Sequence, residues 1–126
     1  MSTPVVVIAD DEKDLREMIA FRIRRWGYAD VRQAANGFEA IALVLPLLNE
    51  GKRVILVTDN DMGKPSGEEV VRVLADKENL AIIMNAGKKP EDKAVLSKLI
   101  KFIAKPDLDE VLPVALKEAW ATLSEA

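Results

Sequence analysis

The stretch Val54–Asp61, VILVTDND, determines the fold class expected for this chain. Its four apolar residues, three of them β-branched, are typical of a strand buried on both faces. Two carboxylates, Asp59 and Asp61, follow where that strand should end. A second run of the same kind, Val5–Ile8, also stops at paired acids. Buried strands that end in carboxylates therefore recur along the chain.

Amphipathic helices alternate with such strands. Strands are predicted over Val5–Ile8, Asp30–Ala34, Val54–Val57, Leu80–Met84 and Phe102–Ala104. Helices are predicted over Lys13–Gly27, Phe38–Asn49, Ser66–Lys77, Pro90–Ile100 and Leu108–Ala119, with Pro46 expected to kink or shorten the second and Pro113 to interrupt the last. This alternation predicts a doubly wound parallel sheet with helices on both faces, whose ligands collect at the carboxyl ends of the strands.

Composition narrows the possible functions. The 126 residues predict one domain, residues 1–126, and their 49% hydrophobic and 31% charged content is typical of globular proteins. The chain has no Cys and no His, which excludes disulfides, Cys/His zinc sites and histidine acid–base catalysis within it. Its net charge is -3 with scattered Lys and Arg, so direct nucleic-acid binding is not expected.

The N-terminal segment MSTPVVVIADD lacks the basic lead of a signal peptide. The longest nearly apolar stretch, AIALVLPLL, is about half of the ~20 residues that a membrane-spanning helix needs. No membrane association is expected, and the cytoplasm is the predicted location.

Polar residues follow each buried strand: Asp10 with Asp11, Asp59 with Asp61, Asn85, and Lys105. Taken singly, they fit ordinary helix caps, a turn and a surface lysine. Together they would lie at one edge of the sheet, where clustered carboxylates repel unless cations neutralise them. Oxygen ligands of this kind suit Mg²⁺, and a carboxylate can also accept a phosphoryl group.

Three motifs give the sequence a resemblance to response-regulator receiver domains of the stand-alone, chemotaxis-regulator type. They are the Asp-Asp pair after the first strand, Asp59-x-x-Met62 with Gly67 eight residues beyond Asp59, and FIAKP at the last strand. The resemblance implies a flavodoxin-like (βα)5 three-layer sandwich with strand order 2-1-3-4-5. It also implies a role in two-component signalling.

Further site roles follow from that resemblance. Asp59 would be the phosphoacceptor. Asp11 and Asp59 would bind Mg²⁺ through their side chains and Asp61 through its backbone carbonyl, while Asp10 would orient a metal-bound water. Lys105 would pair with the phosphoryl oxygens.

Of the remaining positions, some match the pattern of the family and others differ from it. The bond from Lys105 to Pro106 would be cis, and Phe102 would occupy the aromatic switch position. Asn85 stands where the family has Ser or Thr, so its amide would replace a hydroxyl at the phosphoryl group. Gly63 replaces a proline, which should loosen the loop beside Asp59.

The function implied is a phosphorylation-dependent switch rather than a turnover enzyme. A sensor histidine kinase or histidine phosphotransfer protein would donate the phosphoryl group, and a downstream protein would bind the changed surface. A monomer or weak dimer is expected. Two alternatives stay open: a degenerate receiver that binds proteins without phosphorylation, and a haloacid-dehalogenase-like phosphatase with Asp59 as nucleophile and Asp61 as acid.

Overall fold

Five parallel strands form the centre of the part of the chain that the structure describes. The computed structural model describes residues 3–124; residues 1, 2, 125 and 126, which the domain prediction included, lie outside that range. The sheet order is β2-β1-β3-β4-β5, which confirms the predicted flavodoxin-like class. The strands are β1 (Val5–Ala9), β2 (Val31–Ala34), β3 (Val54–Thr58), β4 (Leu80–Ala86) and β5 (Lys101–Ala104).

Helices cover both faces of this sheet. They are α1 (Lys13–Arg25), α2 (Gly37–Asn49), α3 (Gly67–Leu74), α4 (Lys93–Ser97) and α5 (Leu108–Ser124). Alternate residues of each strand enter two separate cores: Ile55 and Val57 pack with residues of α1 and α5, whereas Val54 and Leu56 pack with residues of α2, α3 and α4. The apolar runs thus fill two cores at once, which explains why they show no polar alternation.

Neither internal proline ends its helix, so the predicted shortening at Pro46 and the predicted interruption at Pro113 are wrong. α2 continues through Pro46, and α5 continues through Pro113. A helical proline leaves the carbonyl four residues earlier without its usual donor. Those carbonyls belong to Ala42 and Asp109, both on exposed residues, where water can bind them.

The fourth helix is much shorter than the predicted Pro90–Ile100. It begins after Asp92, whose side chain accepts a hydrogen bond from the Ala94 N–H at 2.9 Å, so Pro90 lies outside it. Its end is set by the sheet, because the Ile100 N–H donates to the Ile82 carbonyl at 2.8 Å. α3 likewise ends at Leu74 rather than at Lys77, although Ser66 caps it as predicted.

Within residues 3–124, no helix combines the length and the apolar character that crossing a membrane would require.

Candidate functional site

Two acidic residues extend neighbouring strands by one position at the carboxyl edge of the sheet. The Asp59 N–H donates to the Ala9 carbonyl of β1 at 2.8 Å, and the Asp10 N–H donates to the Ala34 carbonyl of β2 at 3.1 Å. These ladder bonds continue the pairing of β1 with β3 and β2. The backbone that carries both carboxylates is therefore held by the sheet rather than by a free loop.

Asp10, Asp11 and Asp59 form a carboxylate cluster, in which one oxygen from each lies within 4.8 Å of the others. Asp10 is 2% exposed and Asp59 4%, whereas Asp11 faces solvent. Two unit charges at 4.8 Å repel by roughly 3 kcal/mol at an effective dielectric of about 20. Burial, reinforced by the charge of Asp59, raises the pKa of Asp10, although a hydrogen bond from the Glu12 N–H opposes the change.

Lys105 supplies the cation of this cluster. Its Nζ lies 3.3 Å from Oδ2 of Asp59, while Oδ1 of Asp59 accepts a 2.7 Å hydrogen bond from the Asn60 N–H. Burial acts against protonation of Lys105, but the Asp59 carboxylate outweighs it and raises the pKa of the ammonium group. The structure thus brings together Asp10, Asp11, Asp59 and Lys105, as the strand-end argument predicted.

The peptide bond from Lys105 to Pro106 is not cis, so that expectation is wrong. Lys105–Asp107 form a single 3-10 turn that leads directly into α5, and a trans proline suits the start of such a turn. The cis X-Pro bond of the described residues is Lys64-Pro65, in the loop after β3.

The loop between β3 and α3 is tightly closed beside Asp59. The Asn60 carbonyl accepts from the Gly67 N–H, and the Asn60 side chain accepts from the Glu68 N–H, each at 2.9 Å. A Cβ on Gly67 would lie 2.2 Å from the Asp59 carbonyl oxygen. Only glycine permits this approach, which gives a physical reason for a glycine eight residues after Asp59.

The residues between Asn60 and Gly67 differ in their exposure to solvent. Met62 is 6% exposed and packs in the core shared with α2 and α3, while Asp61 faces solvent. Gly63 has φ +82°, a backbone conformation that proline cannot adopt. Glycine at this position therefore meets a conformational requirement of the turn, beyond the looser loop inferred from the sequence.

An open cavity of about 320 Å³ lies over the Asp59 carboxylate. It is lined by Asp59, Asn60, Asp61, Ala86, Gly87, Lys88 and Lys105. Asn85 is not among these residues. Its amide is buried and donates to the Ile103 carbonyl of β5 at 3.1 Å, so the structure does not bring it to the cavity.

The sequence reasoning missed Ala86, Gly87 and Lys88 because it ended β4 at Met84. By its polarity, Asn85 was expected to lie beyond the end of the strand. In the structure it belongs to β4, and its side-chain amide donates to a carbonyl of the sheet. The available signal was the run Gly-Lys-Lys directly after Ala86, since glycine and adjacent lysines are typical of a loop.

Phe102 lies on β5 opposite Met84 in the strand register. It is half-buried and packs against the core under α2, α3 and α4, the opposite face of the sheet from Ile103. The structure therefore places it on the α4 side of the sheet, three residues before Lys105.

The donor set of the cluster fits Mg²⁺. Three carboxylates converge from the ends of two adjacent strands, two of them buried and one open to solvent. Magnesium binds through one or two carboxylates and keeps several waters, which an open cavity allows. Asp11 and Asp59 would hold the ion directly and Asp10 through a bound water. The chemical contribution of the ion would be to neutralise negative charge at Asp59.

The family model for the response regulator receiver domain matches residues 6–116. The chain belongs to this family. It is 32% identical over 123 residues to a chemotaxis protein CheY homolog of Campylobacter jejuni, covering 93% of this chain and 92% of that protein. It is also 35% identical over 124 residues to the transcriptional regulatory protein FixJ of Rhizobium meliloti, covering 94% of this chain and 58% of that protein.

Solved structures share the fold of this chain. A response regulator receiver domain protein from Clostridium thermocellum superposes with a TM-score of 0.82 at 21% identity, covering 97% of this chain and 98% of that one. A CheY-like receiver from Methanospirillum hungatei gives 0.79 at 19% identity, with 98% of each chain covered. At these identities the likeness concerns the fold alone. The family match confirms the predicted role in two-component signalling and gives no support to the phosphatase alternative.

Proposed function

We propose that this receiver is a switch that is phosphorylated on Asp59 by a phosphohistidine donor in the presence of Mg²⁺. The observation that carries the proposal is the position of Asp59, a buried carboxylate that contacts Lys105 and adjoins Asp10 and Asp11. The donor would be a sensor histidine kinase or a histidine phosphotransfer protein, because this chain contains no histidine. Such an exchange between proteins would take place in the cytoplasm.

The transfer is a displacement at phosphorus. An oxygen of the Asp59 carboxylate attacks the phosphoryl group, and the P–N bond to the donor histidine breaks. The imidazole, protonated on its other ring nitrogen, leaves with the bonding electron pair. The products are an aspartyl phosphate and a neutral histidine on the partner. Lys105 is already in contact with Asp59, so it is placed to pair with the phosphoryl oxygens, and Asp61 on the cavity rim is placed to affect water entry.

The switch would act through the loop after β4 and through β5. Phosphorylation converts the Asp59 carboxylate, with one negative charge, into an acyl phosphate with up to two and with more acceptor oxygens beside Lys105. This change favours a conformation that draws cations and N–H groups toward Asp59. Lys105 directly follows β5 and is three residues from Phe102 on that strand, so a shift there reaches the surface formed by α4, β5 and α5. A downstream protein would read that surface, with the receiver acting as a monomer or weak dimer.

A second candidate is a receiver that binds its partner without phosphorylation. It is favoured by one observation: Ala86 and Gly87, which line the cavity at the end of β4, have no hydroxyl or amide side chain to contact a phosphoryl group. In this case Asp59 and Lys105 would serve as a structural ion pair.

Treatment with acetyl phosphate and Mg²⁺, followed by intact-mass measurement, separates the two candidates. The proposed switch gains one phosphoryl group, loses it on incubation at alkaline pH, and gains none in the presence of EDTA. Asp59→Asn should gain none under any condition. An unmodified wild-type protein would favour the phosphorylation-independent candidate.

A further inference from the structure

Lys88 lines the cavity at the phosphoacceptor site together with Lys105. It lies on the loop after β4 and lines the same cavity as Asp59 and Lys105. The two lysines come from different elements, one directly after β5 and one from the β4–α4 loop. A group attached to Asp59 would therefore enter a cavity lined by two lysines.

The β4 wall of this cavity offers few other side-chain donors. Its residues Ala86 and Gly87 carry no polar side chain, and the amide of Asn85 is bonded to the Ile103 carbonyl. A phosphoryl group brings three acceptor oxygens and up to two negative charges. Lys105 can neutralise part of that charge from the β5 side. On the β4 side, the side-chain cation among the residues lining the cavity is Lys88.

The present partner of Lys88 is weakly held. Its Nζ lies 3.5 Å from Glu91 Oε1, and the two side chains are 82% and 88% exposed. Ion pairs this exposed contribute little to stability, so Lys88 can exchange its partner at small cost.

The loop that carries Lys88 is anchored at both ends. Ala86 belongs to β4 and is paired with Ala104 of β5. Asp92 caps α4 and accepts a 2.9 Å hydrogen bond from the Arg72 guanidinium. The segment between these anchors, residues 87–91, contains both Lys88 and Glu91. A change of partner by Lys88 therefore requires movement of a short loop and leaves the sheet and α4 in place.

We propose that Lys88 exchanges Glu91 for the phosphoryl group on Asp59, so that both Lys88 and Lys105 contact this group. The inference rests on the proposed phosphorylation of Asp59 and names a further residue of that site. Lys105 is in position before modification, whereas Lys88 arrives after it. The phosphoryl group would in this way pull the β4–α4 loop inward without a hydroxyl side chain at the end of β4.

The neighbouring lysine provides a matched control. Lys89 is also exposed and on the same loop, but it lines the adjoining groove with Arg72 and Asp92 rather than the cavity over Asp59. Removing either lysine changes the net charge by the same amount. A difference between the two variants therefore reports the position of the charge and not its presence.

The test uses beryllofluoride, a phosphoryl mimic that binds the carboxylate of Asp59, in the presence of Mg²⁺. Its affinity is measured by titration with backbone NMR shifts in the full chain. Lys88→Ala should weaken binding about fivefold, equivalent to about 1 kcal/mol, while Lys88→Arg and Lys89→Ala should bind as the wild type does. Glu91→Gln should tighten binding about twofold, because Lys88 no longer has a competing carboxylate.

The inference about Lys88 would be overturned if Lys88→Ala bound beryllofluoride with wild-type affinity. It would also be overturned if Lys88→Ala and Lys89→Ala lost affinity equally. Either result would leave the proposed function in place. Unchanged affinity in Glu91→Gln would overturn the exchange of partners. Failure of the wild type itself to bind beryllofluoride with Mg²⁺ would overturn the proposed function and this inference with it. Lys88 is largely exposed, so these substitutions should preserve the fold. The NMR spectrum of each variant without ligand should match that of the wild type, which verifies that the fold is unchanged.

Discussion

Replacing Lys105 by methionine tests the electrostatic account of the site most thoroughly. Methionine keeps most of the side-chain length and removes the charge, so Asp59 loses the ammonium group that lies 3.3 Å from its Oδ2. Asp59 then remains buried beside Asp10 with no cation in contact. Without Mg²⁺, the variant should be less stable than the wild type.

The size of the effect follows from distance and exposure. At 3.3 Å, two unit charges attract by about 5 kcal/mol at an effective dielectric near 20. The Lys105 side chain is 36% exposed and Asp59 only 3%, so solvent screens the pair from one side. Exposed pairs contribute about 0–1 kcal/mol and the loss of one partner of a buried pair costs about 3–5 kcal/mol. A loss of about 1–2 kcal/mol in the free energy of unfolding is expected.

Urea unfolding of four proteins measures this interaction: the wild type, Lys105→Met, Asp59→Asn and the double variant. The coupling energy should be about 1–2 kcal/mol, because the neutral amide that replaces the Asp59 carboxylate in the double variant needs no cation. Lys101→Met, which removes an exposed lysine from β5, is the control and should change stability by less than about 0.5 kcal/mol. Mg²⁺ should stabilise Lys105→Met more than the wild type, since it replaces the missing charge.

A coupling energy near zero, together with equal stabilisation of both proteins by Mg²⁺, would refute this reasoning. It would mean that solvent screens the contact between Lys105 and Asp59 almost completely, and that the carboxylate cluster does not depend on a protein cation.

Three other predictions concern the residues that shape the site. Gly67→Ala should destabilise the protein by about 2–4 kcal/mol in thermal or urea unfolding, because its Cβ would lie 2.2 Å from a backbone oxygen, whereas Gly87→Ala, with nothing within 4 Å, should be nearly neutral. Asp10→Asn should be more stable than the wild type at neutral pH without Mg²⁺, since the pKa of Asp10 is raised on folding. The difference in free energy of unfolding between the two proteins should shrink as the pH falls through that raised pKa toward 3.8. A difference that stays constant with pH would contradict a raised pKa. Asn85→Ala should cost about 1–3 kcal/mol by leaving the Ile103 carbonyl without its donor, with no change in the lifetime of the phosphorylated protein; a changed lifetime would instead support a contact between the Asn85 amide and the phosphoryl group.

The sheet and much of the acidic site were predictable because both depend on local patterns. Buried parallel strands leave uninterrupted apolar runs in the sequence, and the residues that follow them must share one edge of the sheet. This reasoning placed Asp10, Asp11, Asp59 and Lys105 together, and the structure agrees. Sequence order and strand periodicity were sufficient for that part of the site.

The errors arose where tertiary contacts outweigh local signals. Asn85 is polar, yet a partner on β5 satisfies its amide inside the sheet, so β4 runs two residues beyond its predicted end. Ile100 fits a helical pattern, but its N–H bonds to β4 and the helix stops earlier. Pro46 is a helix breaker by propensity, but exposure of Ala42, whose carbonyl loses its usual donor, lets α2 continue. None of these partners can be read from a window of neighbouring residues.

Locating the phosphoryl group after reaction with acetyl phosphate and Mg²⁺ tests the central claim most directly. Reduction of the acyl phosphate with borohydride converts the modified aspartate to homoserine, which peptide mass spectrometry assigns to a position. Modification at Asp59 is predicted, retained in Asp61→Asn and absent in Asp59→Asn. Modification at Asp61 or Asp11 in the wild type, or modification that persists in Asp59→Asn, would contradict the account.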